Sequence, residues 1–83
     1  MNKVCIELIV PVMEKKYDVF IPVNKKIMDI IYLLNKAVSE MNDGYFPMSN
    51  QLSLVEANSG FVYDINLTVK ESKILNGSKI ILV

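Results

Sequence analysis

The chain has no histidine, no arginine and no tryptophan, and its single cysteine is Cys5. Each absence removes a class of chemistry. Without histidine, Ser-His and Cys-His catalysis have no base, and zinc loses its usual nitrogen ligand. One thiol can form neither an intrachain disulfide nor a cysteine metal cluster. Every cation is a lysine, so the planar fork that grips phosphates and base edges bidentately is missing. Nine lysines balance nine carboxylates, and no net field draws the chain to nucleic acid or anionic lipid. No apolar run approaches the roughly 18 residues of a membrane span, and no charged-then-apolar signal segment opens the chain. These absences predict a cytoplasmic protein with no cofactor, no metal, no nucleic-acid partner and no direct membrane insertion. Nor do the carboxylates pair: Asp29 and Glu40 fall on a helix's polar face, and Asp43 and Asp64 fall at turns or strand ends. Catalysis has no constellation to stand on, so the expected function is non-enzymatic.

What is present is apolar pattern. Eighty-three residues with 52% apolar content suffice for one small core, and the expectation is a single domain over 1–83. Val4, Ile6, Leu8 and Val10 alternate with polar or outward positions, which predicts a strand. Pro11 ends it, Glu14-Lys15-Lys16 supplies a polar link, and Tyr17, Val19, Ile21 and Val23 repeat the alternation as an antiparallel partner. Asn24 is a candidate N-cap, with Val23 and Met28 spaced as a hydrophobic staple. Ile27, Ile31, Leu34, Val38 and Met41 then recur at helical steps, widened by Ile30, Leu33 and Ala37. Asp29, Asn35, Lys36, Ser39 and Glu40 take the other side. Gly44 can end the helix, giving about five turns.

Tyr45 to Asn50 has turn formers and no period, hence a loop. Leu52 and Leu54 mark a third strand within Gln51–Ala57, the Asn58-Ser59-Gly60 turn follows, and Phe61–Ile65 is expected to return as a short fourth strand. Leu67, Val69 and Ile74 are expected to pin an irregular segment over the core. Asn76-Gly77-Ser78 then turns the chain into a fifth strand, Lys79–Val83.

That order, and above all Leu67-Thr68-Val69 followed by Ile74-Leu75-Asn76-Gly77-Ser78-Lys79-Ile80-Ile81-Leu82, resembles a ubiquitin-like domain over nearly the whole chain. The ending is similar to that fold's leucine anchor, isoleucine turn and last strand. Within the superfamily, the Asn-Gly corner and the flush end at Val83 resemble the YukD/EsaB group, small bacterial proteins that accompany type VII secretion systems. Related domains there are fused to the membrane component EccD. The resemblance implies an α+β fold, the ubiquitin-like β-grasp, with a mixed sheet of order 2-1-5-3-4 and one helix packed across it. Parallel pairing of first and last strands also suits covalent geometry, because the intervening elements supply the long crossover.

On that sheet the outward positions are Cys5, Glu7 and Ile9, then Asp18 and Phe20, Ser53 and Val55, and Ile81 and Val83. Ubiquitin-like proteins meet partners on the equivalent surface, so Ile9, Phe20, Val55, Ile81 and Val83 are the candidate interaction residues. A contiguous apolar cluster there marks an interface with a protein partner, such as a membrane component of the secretion machinery, or with a second copy; scattered apolar residues would mean nothing. The expected role is a non-enzymatic adaptor in type VII secretion or its regulation, acting by sheet-face docking or by strand addition at an open edge. A sulfur carrier or conjugated modifier is the alternative, disfavoured by the lack of a Gly-Gly tail. A β-grasp accessory domain of unrelated role is another. Cys5 reads as a partly covered structural thiol, since only Lys3 is cationic nearby. Lys25 and Lys26, expected in the first helical turn, read as solvated. Tyr45, Phe46 and Met48 read as a cap on one end of the core.

Overall fold

The computed structural model describes residues 2–83. Strands β1 (Lys3–Val10) and β2 (Lys15–Pro22) form an antiparallel hairpin, with Cys5 opposite Phe20 and Leu8 opposite Tyr17. A 3-10 turn, Pro11–Met13, joins them, and Glu14 closes it at φ 53 by donating its N–H to the Pro11 carbonyl at 2.9 Å. Proline suits that first position because its missing N–H would have found no partner there. Helix α1 (Ile27–Met41), strand β3 (Leu54–Glu56) and strand β4 (Lys79–Leu82) complete the architecture.

The sheet runs β2-β1-β4-β3; β1 and β4 are parallel, and the other neighbours are antiparallel. The expected order 2-1-5-3-4 counts Phe61–Ile65 as a strand. In the structure that segment makes a single bridge, Val62 opposite Val55, so the arrangement is the expected one with its fourth strand shortened to a bridge. Asp64 accounts for the shortening: its carboxylate accepts the Asn66 N–H at 2.9 Å and turns the backbone before a ladder can extend.

The alternation in β1 and β4 buries Ile6, Leu8, Val10, Ile80 and Leu82 on one face, where Ile27, Ile30, Leu34 and Val38 of α1 meet them, with Leu54, Val69 and Ile74 closing the sides. Truncating any of these leucines or isoleucines to alanine would cost about 2–5 kcal/mol, because the cavity left behind adds to the lost transfer energy.

The start and the length of the helix depart from the sequence expectation. Lys26, not Asn24, is the N-cap, and it contributes no side-chain bond. The free N–H groups of the first turn are taken by a distant loop instead: Ile27 donates to the Leu67 carbonyl at 2.8 Å and Met28 to that of Ile65 at 3.1 Å. The Lys25 carbonyl accepts from Val69, and Lys26 is extended and bridges Thr68, so both lysines precede the first turn. The helix is 15 residues long, about four turns.

Met41 is exposed rather than on the buried stripe, and Asn35, assigned to the polar face, is wholly buried. Its amide explains this. Asn35 Nδ2 donates to the Pro47 carbonyl at 3.2 Å, and Oδ1 accepts the Ser49 N–H at 2.8 Å, so one buried side chain satisfies two backbone groups of the 45–50 loop. Phe46 of that loop enters the core, while Tyr45 and Met48 stay exposed; only Phe46 caps the core.

In the segment before β4, Val69 and Ile74 are buried as expected, but Leu67 is 38% exposed and anchors through its carbonyl instead. Thr68 and Glu71 form a reciprocal capping box: the Thr68 N–H reaches Glu71 Oε1 at 2.9 Å, and the Glu71 N–H reaches Thr68 Oγ1 at 3.1 Å. The box holds the turn that carries Val69 inward. For the loop, Asn35→Ala is expected to lower stability to urea by about 1–3 kcal/mol, because it removes both part-buried bonds that hold the loop backbone to the helix. Lys36→Ala beside it should change stability by less than about 0.5 kcal/mol.

Candidate protein-interaction face

The outward face of the sheet is assembled by the way β4 enters. Gly77 takes φ 88, and its N–H donates to the Cys5 carbonyl at 2.8 Å. The Glu7 N–H donates to the Ser78 carbonyl at 2.9 Å. Asn76 extends the ladder with its side chain, Oδ1 accepting the Cys5 N–H at 2.7 Å. These bonds set the register Glu7↔Lys79, Leu8↔Ile80, Ile9↔Ile81. With Ile80 and Leu82 inward, Ile81 must face out.

Across the sheet Ile81 lies beside Ile9 on one flank and Val55 on the other, and Val55 lies beside Val62. Ile9, Ile81, Val55 and Val62 therefore form one apolar row over three strands and a bridge. Val83 continues the face one row on, exchanging backbone bonds with Ser53 at 2.6 and 3.1 Å, and is half exposed. Phe20 does not join them. It stands opposite Cys5, 69% exposed, and the row between it and Ile9 carries Asp18, Glu7 and Lys79. Successive outward rows lie roughly 7 Å apart, so this charged row separates the ring from the apolar cluster. Four of the five candidate residues, Ile9, Val55, Ile81 and Val83, are thus neighbours, and Phe20 is apart. Val62, absent from the sequence-derived set, joins them; its signal was the apolar run after the Asn58-Ser59-Gly60 turn, which sets it against Val55.

A carboxylate holds that turn. Glu56 Oε1 accepts the Ser59 hydroxyl at 2.8 Å and its N–H at 2.7 Å, and Oε2 accepts the Asn58 N–H at 3.2 Å. The Ser59 hydroxyl first, and then the two N–H groups, hold the Glu56 carboxyl below its ordinary value of 4.5. Behind the turn Phe61 meets Tyr63 edge-on, with centroids 5.8 Å apart, and burial pushes the Tyr63 phenol upward. The Lys16–Glu7 ion pair at 4.0 Å on the same face is exposed and contributes little. Cys5 is half-buried with both backbone groups engaged.

Elsewhere, an apolar groove of about 350 Å³ runs between β2 and α1, and a cleft of about 260 Å³ lies across the helix, lined by Met28, Tyr32, Leu52 and Ile65. Among the described residues, no three His, Cys, Asp or Glu side chains gather as a metal site, and no helix is long and apolar enough to cross a membrane. The arrangement offers contact surface.

No protein-family profile and no curated protein matches the sequence. Solved structures do match its shape. The ubiquitin-like domain of EccD5 from Mycobacterium xenopi superposes with a TM-score of 0.80 at 17% identity, covering 100% of this chain and 94% of that one. The ubiquitin-like domain of the Mycobacterium tuberculosis type VII secretion protein ECCD1 gives 0.77 at 13% identity, with 100% and 99% covered. Caldiarchaeum subterraneum ubiquitin gives 0.68 at 13% identity, with 96% and 90% covered. The fold is the ubiquitin-like β-grasp. The sheet face away from the helix bears the apolar row.

The Glu56 turn generates a pH prediction. Its folded pKa is depressed, so the stability it contributes is present above the unfolded carboxylate value and is lost as pH falls below about 4.5 through the lower folded value. Glu56→Gln should therefore flatten the acid limb of a plot of urea midpoint against pH between about 5 and 3. Parallel curves for the two proteins would show that the turn does not depend on the charge.

Proposed function

We propose that this β-grasp protein is a non-enzymatic adaptor of a type VII secretion system, acting in the cytoplasm by docking the outward face of its sheet on another protein. One observation carries the reading. The outward row Ile9–Ile81–Val55–Val62 is unbroken over β1, β4, β3 and the bridge and ends against Lys16 of β2, where a solvated sheet face would alternate with charge. End-to-end coverage of both EccD ubiquitin-like domains supports the choice of system, in keeping with the resemblance of the Asn76-Gly77 ending to the YukD/EsaB group. A fold alone does not select a role, since archaeal ubiquitin shares it. The contact surface is Ile9, Val55, Ile81 and Val83 with Val62, and Phe20 stands apart beyond the charged row.

Docking of this kind concentrates energy in a few well-packed apolar groups ringed by polar ones. Asp18, Glu7, Lys16 and Lys79 supply such a rim on one side. The test is binding of the purified protein to the cytosolic portion of the type VII membrane component from the same cell, by calorimetry. Val55→Asp and Val62→Asp, at half-buried and exposed sites, should each weaken binding at least about tenfold while circular dichroism stays unchanged. Folded variants that bind as tightly as the parent would rule out the sheet face.

A further inference from the structure

The edge of β2 is left open. Val23, just past β2, donates its N–H to the Asn2 carbonyl at 2.8 Å, so the odd-numbered residues of this strand face β1. Antiparallel alternation then directs the N–H and C=O groups of Lys16, Asp18 and Phe20 away from the sheet. The opposite edge differs, because β3 is covered: Glu56 donates to Phe61 and Tyr63 donates to Leu54. Among the described residues, the β2 edge is the one whose ladder is unfilled.

The helix side of that edge is apolar, and the outward side carries one exposed ring beside two charges. Towards the helix lies the groove of about 350 Å³ between β2 and α1, lined by Val19, Ile21, Leu33 and Ala37, with Leu33 47% exposed. On the other face Phe20 is 69% exposed and has no apolar row beside it. A strand laid along β2 would cover the two together, which a ligand on either face alone would not.

The side chains along the edge say which strand. Lys16 and Asp18 alternate in sign on the outward face, and such a sequence is complementary to itself when reversed. In a two-fold antiparallel pairing centred on Tyr17, Lys16 faces Asp18 of the second copy and Asp18 faces its Lys16, each couple exchanging backbone bonds. Registers centred on Lys16 or on Asp18 set like charges opposite one another and are disfavoured. Pro22 has no N–H and ends the ladder, which limits the slippage that an open edge otherwise invites. With one open edge per chain, the contact consumes both edges and closes at two copies.

We propose that the β2 edge pairs with the same edge of a second copy, giving a two-fold dimer with one continuous sheet, the two β2–α1 grooves closed against each other. The inference is independent of the secretion reading and leaves the row around Ile81 free. It also gives Phe20, which stands apart from that row, a surface of its own to fill.

The test is sedimentation velocity of the full chain from about 1 µM to about 1 mM. The parent should shift from monomer to dimer mass as concentration rises. Lys16→Asp and Asp18→Lys, both at exposed positions, should each weaken self-association about tenfold, because an isologous interface repeats every like-charge contact twice. An equimolar mixture of the two variants should recover the dimer, since an acidic edge then meets a basic one. Hydrogen exchange supplies a second measurement that needs no variant: the Lys16 and Asp18 amides should be protected at high concentration and exposed at low, with Val19 protected at both. A monomer throughout the range, variants that self-associate like the parent, a mixture that fails to recover, or Lys16 and Asp18 amides that exchange equally at all concentrations would each overturn the proposal. So would saturation of this edge by an extended apolar peptide while the protein itself remains monomeric.

Discussion

Everything in this structure depends on the parallel pairing of β4 with β1. The sheet's middle is built from the two ends of the chain, and β4 is only four residues long. A parallel pair has no tight turn to hold it, so its register must come from side chains and from the entry corner. Leu8 and Ile80, both fully buried, supply the packing. Gly77 and the Asn76 amide supply the alignment, one through its backbone N–H and the other through a side-chain bond to Cys5. Without β4 the β1–β2 hairpin and β3 have no common partner, and α1 would have no continuous surface to cover. A hairpin alone is marginal in water.

The same constraint makes the outward face. A shift of one residue in β4 would bury Ile81 and expose Ile80 and Leu82, because side chains alternate strictly along a strand. The core thus fixes which residues can serve as contact surface. Ile9, Ile81 and Val55 face out because Leu8, Ile80 and Leu54 must face in. The Glu56 turn extends that row by one residue, holding Val62 against Val55. Surface and core are two faces of one register, so a substitution in the row is best judged by binding and stability together.

Elements with strict period were legible in the sequence, and those held by tertiary contacts were not. The alternation of Val4, Ile6, Leu8 and Val10 placed β1, and the step from Ile27 to Val38 placed the helix face. The Asn76-Gly77 corner placed β4 and with it the apolar cluster of Ile9, Val55, Ile81 and Val83. The helix start was misplaced because Asn24 has the right chemistry for a cap, yet carbonyls of Ile65 and Leu67, some forty residues on, reach the same N–H groups. Asn35 was misplaced because a polar side chain reads as solvent-facing until its loop partners are known. Leu67 looked like an anchor by type, and its backbone does the anchoring. Phe20 was grouped with the apolar cluster because faces can be read from alternation, whereas distance along a face needs the register. The Thr68–Glu71 capping box has the spacing of one, but the irregular segment around it has no apolar period to mark a helix start.

The central claim is that β4 assembles an apolar row on the outward face and that a partner protein binds there. Methyl NMR tests it most directly, on protein labelled at Ile, Leu and Val and titrated with the cytosolic portion of a type VII membrane component. The account predicts shifts at Ile9, Val55, Val62 and Ile81, with the buried Ile30 and Val38 little changed. Shifts confined to Leu52 and Ile65, in the cleft beside Met28 and Tyr32, would contradict it.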